Sequence, residues 1–261
     1  MTLLFIAFIL FFILLFFKKI EPFENKNALF VLSGNARSFI DCIDSCYEHI
    51  ITKLFQYTNT NITILLYLKL NDPKHPGFDS FNDINRNSIH NKINELKKYG
   101  IHIESIILDD NEIKDMDILS QVKDRSKYID FFDKDENLIR ALQCHYNFEA
   151  CGKKIIEYQK KNNIIFDTFV YVRPDLFFTK DCESIDKYSS TKVTLCMGSS
   201  NYAYDDHAAI IPNKYFDNFF FKRMNTYRNN TTTNYKYAED VYLKTIDYEK
   251  KIFGNFEIKR D

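Results

Sequence analysis

Phe166-Asp-Thr-Phe-Val-Tyr-Val-Arg-Pro-Asp-Leu-Phe-Phe178 is an apolar run that stops abruptly at Arg173, Pro174 and Asp175. Apolar and β-branched residues at 169–172 predict a buried strand. Pro174 has no N–H for a ladder hydrogen bond, so pairing is expected to fail there. The strand then delivers an arginine and a carboxylate together at its carboxyl end, where ligands bind in open α/β sheets. A cation beside an anion at such an edge suits a metal-associated diphosphate.

Working outward, strands alternate with helices. Leu29 to Leu32 predicts a first strand, ended by Ser33-Gly34-Asn35, and a helix follows from about Ser38 to Phe55 with Phe39, Ile43, Cys46, Ile50 and Leu54 on one face. Ile62 to Leu68 predicts a buried strand, Asn71 to Gly77 a turn-rich loop, and Ile84 to Tyr99 a polar helix stopped by Gly100. A third strand is expected at Ile101 to Leu108, then an acidic, loosely ordered connection to about Phe132 and a long helix from Glu136 to Lys161. Asp167 to Val172 is the fourth strand. Lys192 to Cys196 and Ala208 to Ile211 read as strands, Lys214 to Arg223 as a helix, Asn225 to Lys236 as a polar loop and Glu239 to Lys250 as a last helix. No internal repeat appears. The alternation predicts an α/β fold, a doubly wound and mostly parallel sheet.

At 261 residues, the chain suits one globular domain with a sizeable core. Hydrophobic content of 45% and aromatic content of 16% exclude disorder of the whole. Lys+Arg 35 against Asp+Glu 36 gives a formal charge of -1, so no global attraction to nucleic acid is expected.

The amino terminus is a separate element. Every residue from Leu3 to Phe17 is apolar, and Lys18-Lys19 close the run. As a helix, Thr2 to Phe17 spans roughly 24 Å, short of the ~30 Å hydrocarbon core but extended by its flanks. It lacks the basic n-region and small-residue cleavage site of a signal peptide, so an uncleaved transmembrane anchor is expected. The expected organisation is an anchor over 1–19, a linker over 20–27 and an α/β domain over 28–261. Positive charge after the segment favours a cytoplasmic domain, whereas a domain in the endomembrane lumen is the alternative.

Six cysteines (42, 46, 144, 151, 182 and 196) show neither Cys-x-x-Cys nor zinc spacing. Free, mostly buried thiols are expected. There is no Gly-x-x-x-x-Gly-Lys-Ser/Thr loop, no Gly-x-Ser-x-Gly elbow and no His-Glu-x-x-His motif, which removes P-loop, serine-hydrolase and zincin chemistry.

Four places hold residues of the right kind for chemistry. Gly34, Asn35 and Arg37 lie between a strand and a helix start, where backbone approaches ligands and anions are favoured, although such a turn is often only a turn. Arg173 and Asp175 either serve a ligand or form a structural ion pair at the sheet edge. Tyr204-Asp-Asp-His207 joins Asp205, Asp206 and the His207 imidazole before an apolar strand, as a ligand-binding group or an acidic surface turn. Glu239 and Asp240 open the expected last helix, where the helix dipole alone explains carboxylates.

In order and spacing, several segments resemble small glycosyltransferase-like proteins of the GT-A type, including plant and giant-virus members. They are Val31-Leu-Ser-Gly-Asn-Ala-Arg37, Leu142-Gln-Cys-His-Tyr-Asn147, Tyr171-Val-Arg-Pro-Asp-Leu-Phe177, Asp205-Asp206-His207 and Ala238-Glu-Asp-Val-Tyr-Leu243. The resemblance implies a GT-A-like (Rossmann-like) sheet behind the anchor. It implies a transferase that moves a sugar from a nucleotide-sugar donor to a hydroxyl of a glycan or glycoprotein. Gly34, Asn35, Arg37, Arg173 and Asp175 would bind the donor. The family's metal motif is Asp-x-Asp, and here Arg173 takes its first acidic place. Asp175 alone then holds Mn2+ or Mg2+, or Arg173 substitutes for the metal at the phosphates. Asp240, ahead of Glu239, or Asp206 would be the base, with Gln143, Asp205 and His207 beside the acceptor. His145, taken alone, reads as a surface or capping residue. A catalytically inactive glycosyltransferase-like binding module at a membrane, or another phosphate-handling enzyme, is the competing class.

Overall fold

The computed structural model describes residues 27–36, 38–56, 60–69, 86–98, 103–109, 115–129, 135–197, 207–229, 246–252 and 256–258. Its strands are β1 (Asn27–Asn35), β2 (Asn61–Lys69), β3 (Ile103–Asp109), β4 (Thr168–Val172), β5 (Leu176–Phe178), β6 (Val193–Met197), β7 (Ala208–Pro212), β8 (Tyr248–Ile252) and β9 (Phe256–Ile258). Among the described residues, seven of them form one sheet in the order β3-β2-β1-β4-β7-β6-β8. β1, β2, β3 and β4 run parallel, and β6 and β8 pair in parallel. β7 is antiparallel to both of its neighbours, so the sheet is mostly parallel with one reversed strand.

Period-two alternation sends successive side chains to opposite faces, and both faces here are covered. Phe30, Leu32, Ile64, Leu66, Leu68, Val170 and Val172 meet Phe39, Ile43, Cys46 and Ile50 on one side. Those last four lie on α1 (Phe39–Cys46) and the π-helical segment Tyr47–Ile51, which continues into α2 (Thr52–Leu54). α3 (Arg86–Lys98) adds Ile89, Ile93 and Leu96 to this layer. Leu29, Val31, Leu65, Phe169, Tyr171 and Ile211 face the other way. There they pack on Phe148, Cys151 and Ile155 of α6 (Asp135–Asn162) and on Phe216, Phe219 and Phe220 of α7 (Phe216–Phe220). Each buried phenylalanine contributes on the order of 1.5–3 kcal/mol, so these two apolar faces, rather than the few ion pairs, carry the fold.

The expected boundaries shift where tertiary pairing decides them. β1 does not end at Leu32; it runs through Ser33, Gly34 and Asn35 because these pair with Tyr67, Leu68 and Lys69 of β2. The connection expected to be loose holds α4 (Asp115–Ser120) and α5 (Ser126–Ile129). Ile118, Leu119, Val122 and Tyr128 make an apolar cluster there with Leu138, Leu142, Met224 and Tyr227. The polar loop expected from Asn225 begins instead as helix, α8 (Lys222–Asn229), because Met224, Thr226 and Tyr227 are buried. The helix expected to reach Lys250 is contradicted at its end: residues 248–252 are β8, held by parallel pairing with β6. β5 pairs antiparallel with β9 in a separate two-stranded sheet, which the sequence reading omits.

Cys42, Cys46, Cys151 and Cys182 are buried free thiols and Cys144 is an exposed one, as expected. Burial pushes the Cys151 and Cys182 thiols up to about 12. The expected anchor over 1–19 and most of the linker lie outside the described residues. Among the described residues, no helix is long and apolar enough to cross a membrane.

Candidate functional site

Parallel pairing aligns the carboxyl ends of β1, β2, β3 and β4 along one edge of the sheet. β4 ends at Val172, and Pro174 lies in the turn beyond it, as its missing N–H predicts. Gly34 sits at this edge with φ +151°, and a Cβ on it would lie 2.9 Å from Cδ of Pro174. The small size of this residue is therefore used by a protein atom. Ser33, one position earlier, is buried, and its carbonyl accepts a hydrogen bond from the Tyr171 hydroxyl at 3.1 Å. Tyr171 also packs against Phe148 of α6, the two rings tilted and their centroids 4.8 Å apart. The two strand ends are thus fixed against each other from below.

The reversed strand supplies a third component. Because β7 runs antiparallel to β4, its start lies at the end of β4, with Val172 opposite Ala208. The Arg173 N–H accordingly donates to the His207 carbonyl at 2.9 Å. Two sequence-predicted groups, 34 residues apart in the chain, meet here through topology alone.

Arg173 and Asp175 form a bidentate pair. Nε donates to Oδ1 at 2.9 Å and Nη2 to Oδ2 at 2.5 Å, the parallel fork geometry of a strong charge-assisted contact. The pair is asymmetric in access: the arginine side chain is 28% exposed and the aspartate side chain 3%. What an incoming ligand can reach is the cation.

Lys69 is a component that sequence reasoning missed. It ends β2 in register with Asn35, is largely buried, and its carbonyl accepts from the Ala36 N–H at 2.8 Å. The strand reading stopped at Leu68, one residue short. The signal was present, since a lysine closing Ile64-Leu-Leu-Tyr-Leu68 repeats the pattern of Arg173 closing β4.

Other expected residues fall elsewhere or outside the description. Gln143 lies within α6, eight residues after its start at Asp135. His145 is buried rather than a surface or capping group, with its ring 5.7 Å from that of Tyr227, in the cluster beneath α8. Near it, Glu149 is buried and pairs with Arg228 Nη1 at 2.8 Å and Lys153 Nζ at 2.6 Å. Arg223 is fully buried, its guanidinium 3.7 Å over the Phe148 ring. These groups tie α6 to α8 behind the edge and were not legible as partners in the sequence. Arg37, Asp205, Asp206, Glu239 and Asp240 lie outside the described residues.

No family model and no curated protein matches the chain. Among solved structures, the glycosyltransferase GlyE of Streptococcus pneumoniae TIGR4 is 10% identical with a TM-score of 0.37, covering 87% of this chain and 45% of its own. The galactosyltransferase LgtC, in complex with donor and acceptor sugar analogs, is 10% identical with a TM-score of 0.39, covering 86% of this chain and 72% of its own. The bifunctional glycosyltransferase WbbM in its apo form is 10% identical with a TM-score of 0.40, covering 89% of this chain and 40% of its own. This chain therefore spans less than half the length of GlyE and of WbbM. Similarities of this size assign neither family nor activity to it.

Proposed function

We propose that the protein is a glycosyltransferase that moves a sugar from a nucleotide-sugar donor to a hydroxyl of a glycan or glycoprotein. The observation that carries this reading is the convergence at one sheet edge of Gly34-Asn35, Arg173-Asp175 and His207, with only the cation of the ion pair open to a ligand. Open α/β sheets bind ligands at such carboxyl edges. The donor lies across the ends of β1 and β4, with Arg37 beside the nucleotide. Positive charge at Arg173 faces the diphosphate as it departs, and stabilisation of developing charge is the largest single contribution expected of such a site. Asp240 or Asp206 takes the proton of the acceptor hydroxyl, with Glu239 beside the first of them, and Asp205, His207 and Gln143 orient the acceptor.

Residues 1–19 anchor the enzyme in a membrane, a placement that rests on the uninterrupted apolar run from Leu3 to Phe17. The following lysines favour a cytoplasmic domain over a lumenal one. An enzyme that washes off membranes at high pH as readily as a variant lacking residues 1–19 contradicts the anchor.

Release of nucleoside diphosphate from a panel of nucleotide sugars, with glycan acceptors present, tests the activity. One donor should be turned over, and Asp175→Asn should lower turnover. A protein that binds a nucleotide sugar yet turns over none of the panel favours the second class, an inactive binding module.

A further inference from the structure

A GT-A resemblance brings with it the expectation of a divalent cation, and the described residues at this edge do not fit one. Mg2+ and similar hard cations need about six oxygen ligands at roughly 2.0–2.6 Å, drawn from carboxylates, phosphates and water. Both Asp175 oxygens already accept hydrogen bonds from Arg173, at 2.9 and 2.5 Å. A cation on those oxygens would sit against a guanidinium, charge against like charge. With the aspartate side chain only 3% exposed, there is little room for the water and phosphate that complete a shell. Among the described residues, no group of three or more His, Cys, Asp and Glu side chains is placed to hold a metal.

The same geometry suits direct recognition of an anion. Arg173 is anchored at both ends, its N–H on the His207 carbonyl and its Nε and Nη2 on Asp175. Its guanidinium is planar, permanently charged and partly open, the form that pairs with phosphate oxygens. Lys69 ends β2 at the same edge, in register with Asn35, and is largely buried. We infer that Arg173 itself, rather than a metal ion, holds the donor's diphosphate, and that Asp175 is a positioning residue fixing the plane of the guanidinium. This rests on the reading of the edge as a nucleotide-sugar site.

The test is equilibrium binding of UDP, GDP, CDP and ADP, and of the matching nucleosides, to the full-length protein in detergent. Each titration is run with EDTA and again with Mn2+. One diphosphate should bind with affinities in EDTA and in Mn2+ that agree within about threefold, well under the tenfold that 1.4 kcal/mol represents. Arg173→Ala should weaken it about ten- to a hundredfold, the scale of a lost charged hydrogen bond. Nucleoside affinity should stay unchanged, which a merely structural role for the arginine does not predict. Arg173→Lys, which keeps the charge and loses the fork, and Asp175→Asn should fall between wild type and Arg173→Ala, again only for the diphosphate. Binding that needs Mn2+ and vanishes in EDTA overturns the inference while leaving the transferase reading intact. Metal-independent binding that Arg173→Ala leaves unchanged, in a variant with wild-type thermal unfolding, also overturns it. If no diphosphate binds under either condition, the donor-site reading falls and this inference with it.

Discussion

A methyl group on residue 34 would lie 2.9 Å from Cδ of Pro174, closer than real Cβ contacts come, on a backbone whose φ of +151° already disfavours L side chains. Gly34→Ala should therefore cost about 1–3 kcal/mol, from backbone strain and from pushing Pro174 away. A fall in the urea midpoint of that size checks it, and an unchanged midpoint contradicts the contact. The displacement reaches function as well, because Pro174 stands between Arg173 and Asp175. At this scale the sequence was partly legible. Arg173 and Asp175 were visible as chemistry because they interrupt an apolar run. Their mutual ion pair was one of the two readings open for them, since a spacing of two residues leaves open whether the side chains meet, and the structure forms it. His207 could be seen as a candidate, but its place beside Arg173 depends on the reversed direction of β7, which no local pattern encodes.

Two elements meet closely enough at Gly152 for the magnitudes to be weighed. In the middle of α6, glycine costs about 1 kcal/mol relative to alanine, so propensity alone makes Gly152→Ala stabilising. Yet the added Cβ would lie 2.8 Å from Cβ of Phe220 and 2.9 Å from Cζ of Phe221. Overpacking of that kind costs typically about 1–3 kcal/mol, and the close approach of Cβ to Cβ leaves no flexible side-chain end to yield. Net destabilisation is expected, read as a lower thermal midpoint; a raised midpoint would show that α7 can retreat from α6. Element by element, long periodic or continuous apolar segments such as β1, α1, β2, α6 and β4 were readable. β5 has three residues and β9 three, too few for a period to show. Tyr248-Glu-Lys-Lys-Ile252 has a helical composition, and it is a strand because β6 offers a free edge in parallel register. No local pattern marks the partners of Arg223 and Arg228; the packing of α8 on α6 supplies an aromatic face for one and Glu149 for the other.

For the molecule as a whole, both sheet faces conceal thiols, and this sets how stability responds to alkali. Burial raises the Cys46 thiol above its ordinary value of 9.0, and Cys151 and Cys182 likewise, the last two to about 12. The unfolded chain releases these protons at lower pH than the folded one. The stabilisation is therefore fully present below pH 9.0 and is lost as pH rises from there toward about 12. The urea midpoint should fall as pH rises above about 9, less steeply in Cys151→Ala than in wild type. At neutral pH, a thiol reagent should modify Cys144 and spare Cys42, Cys46, Cys151 and Cys182, read by peptide mass. Rapid labelling of the buried four in the folded protein would contradict the two-faced core. That core was the most legible property of the chain, because alternating strands and helices with few polar interruptions leave little choice but a covered sheet. The carboxyl-edge site follows from the core, since parallel pairing brings the four strand ends to one line.

Binding at that line is best tested by thermal unfolding of the full-length protein against a panel of nucleotide sugars and free nucleoside diphosphates. A ligand at 100 times its Kd adds about 2.7 kcal/mol, a readily visible shift. Stabilisation by donors of one base, lost in Arg173→Ala, is the expected result. A cooperatively unfolding protein whose midpoint no nucleotide moves would contradict a donor site at the ends of β1 and β4.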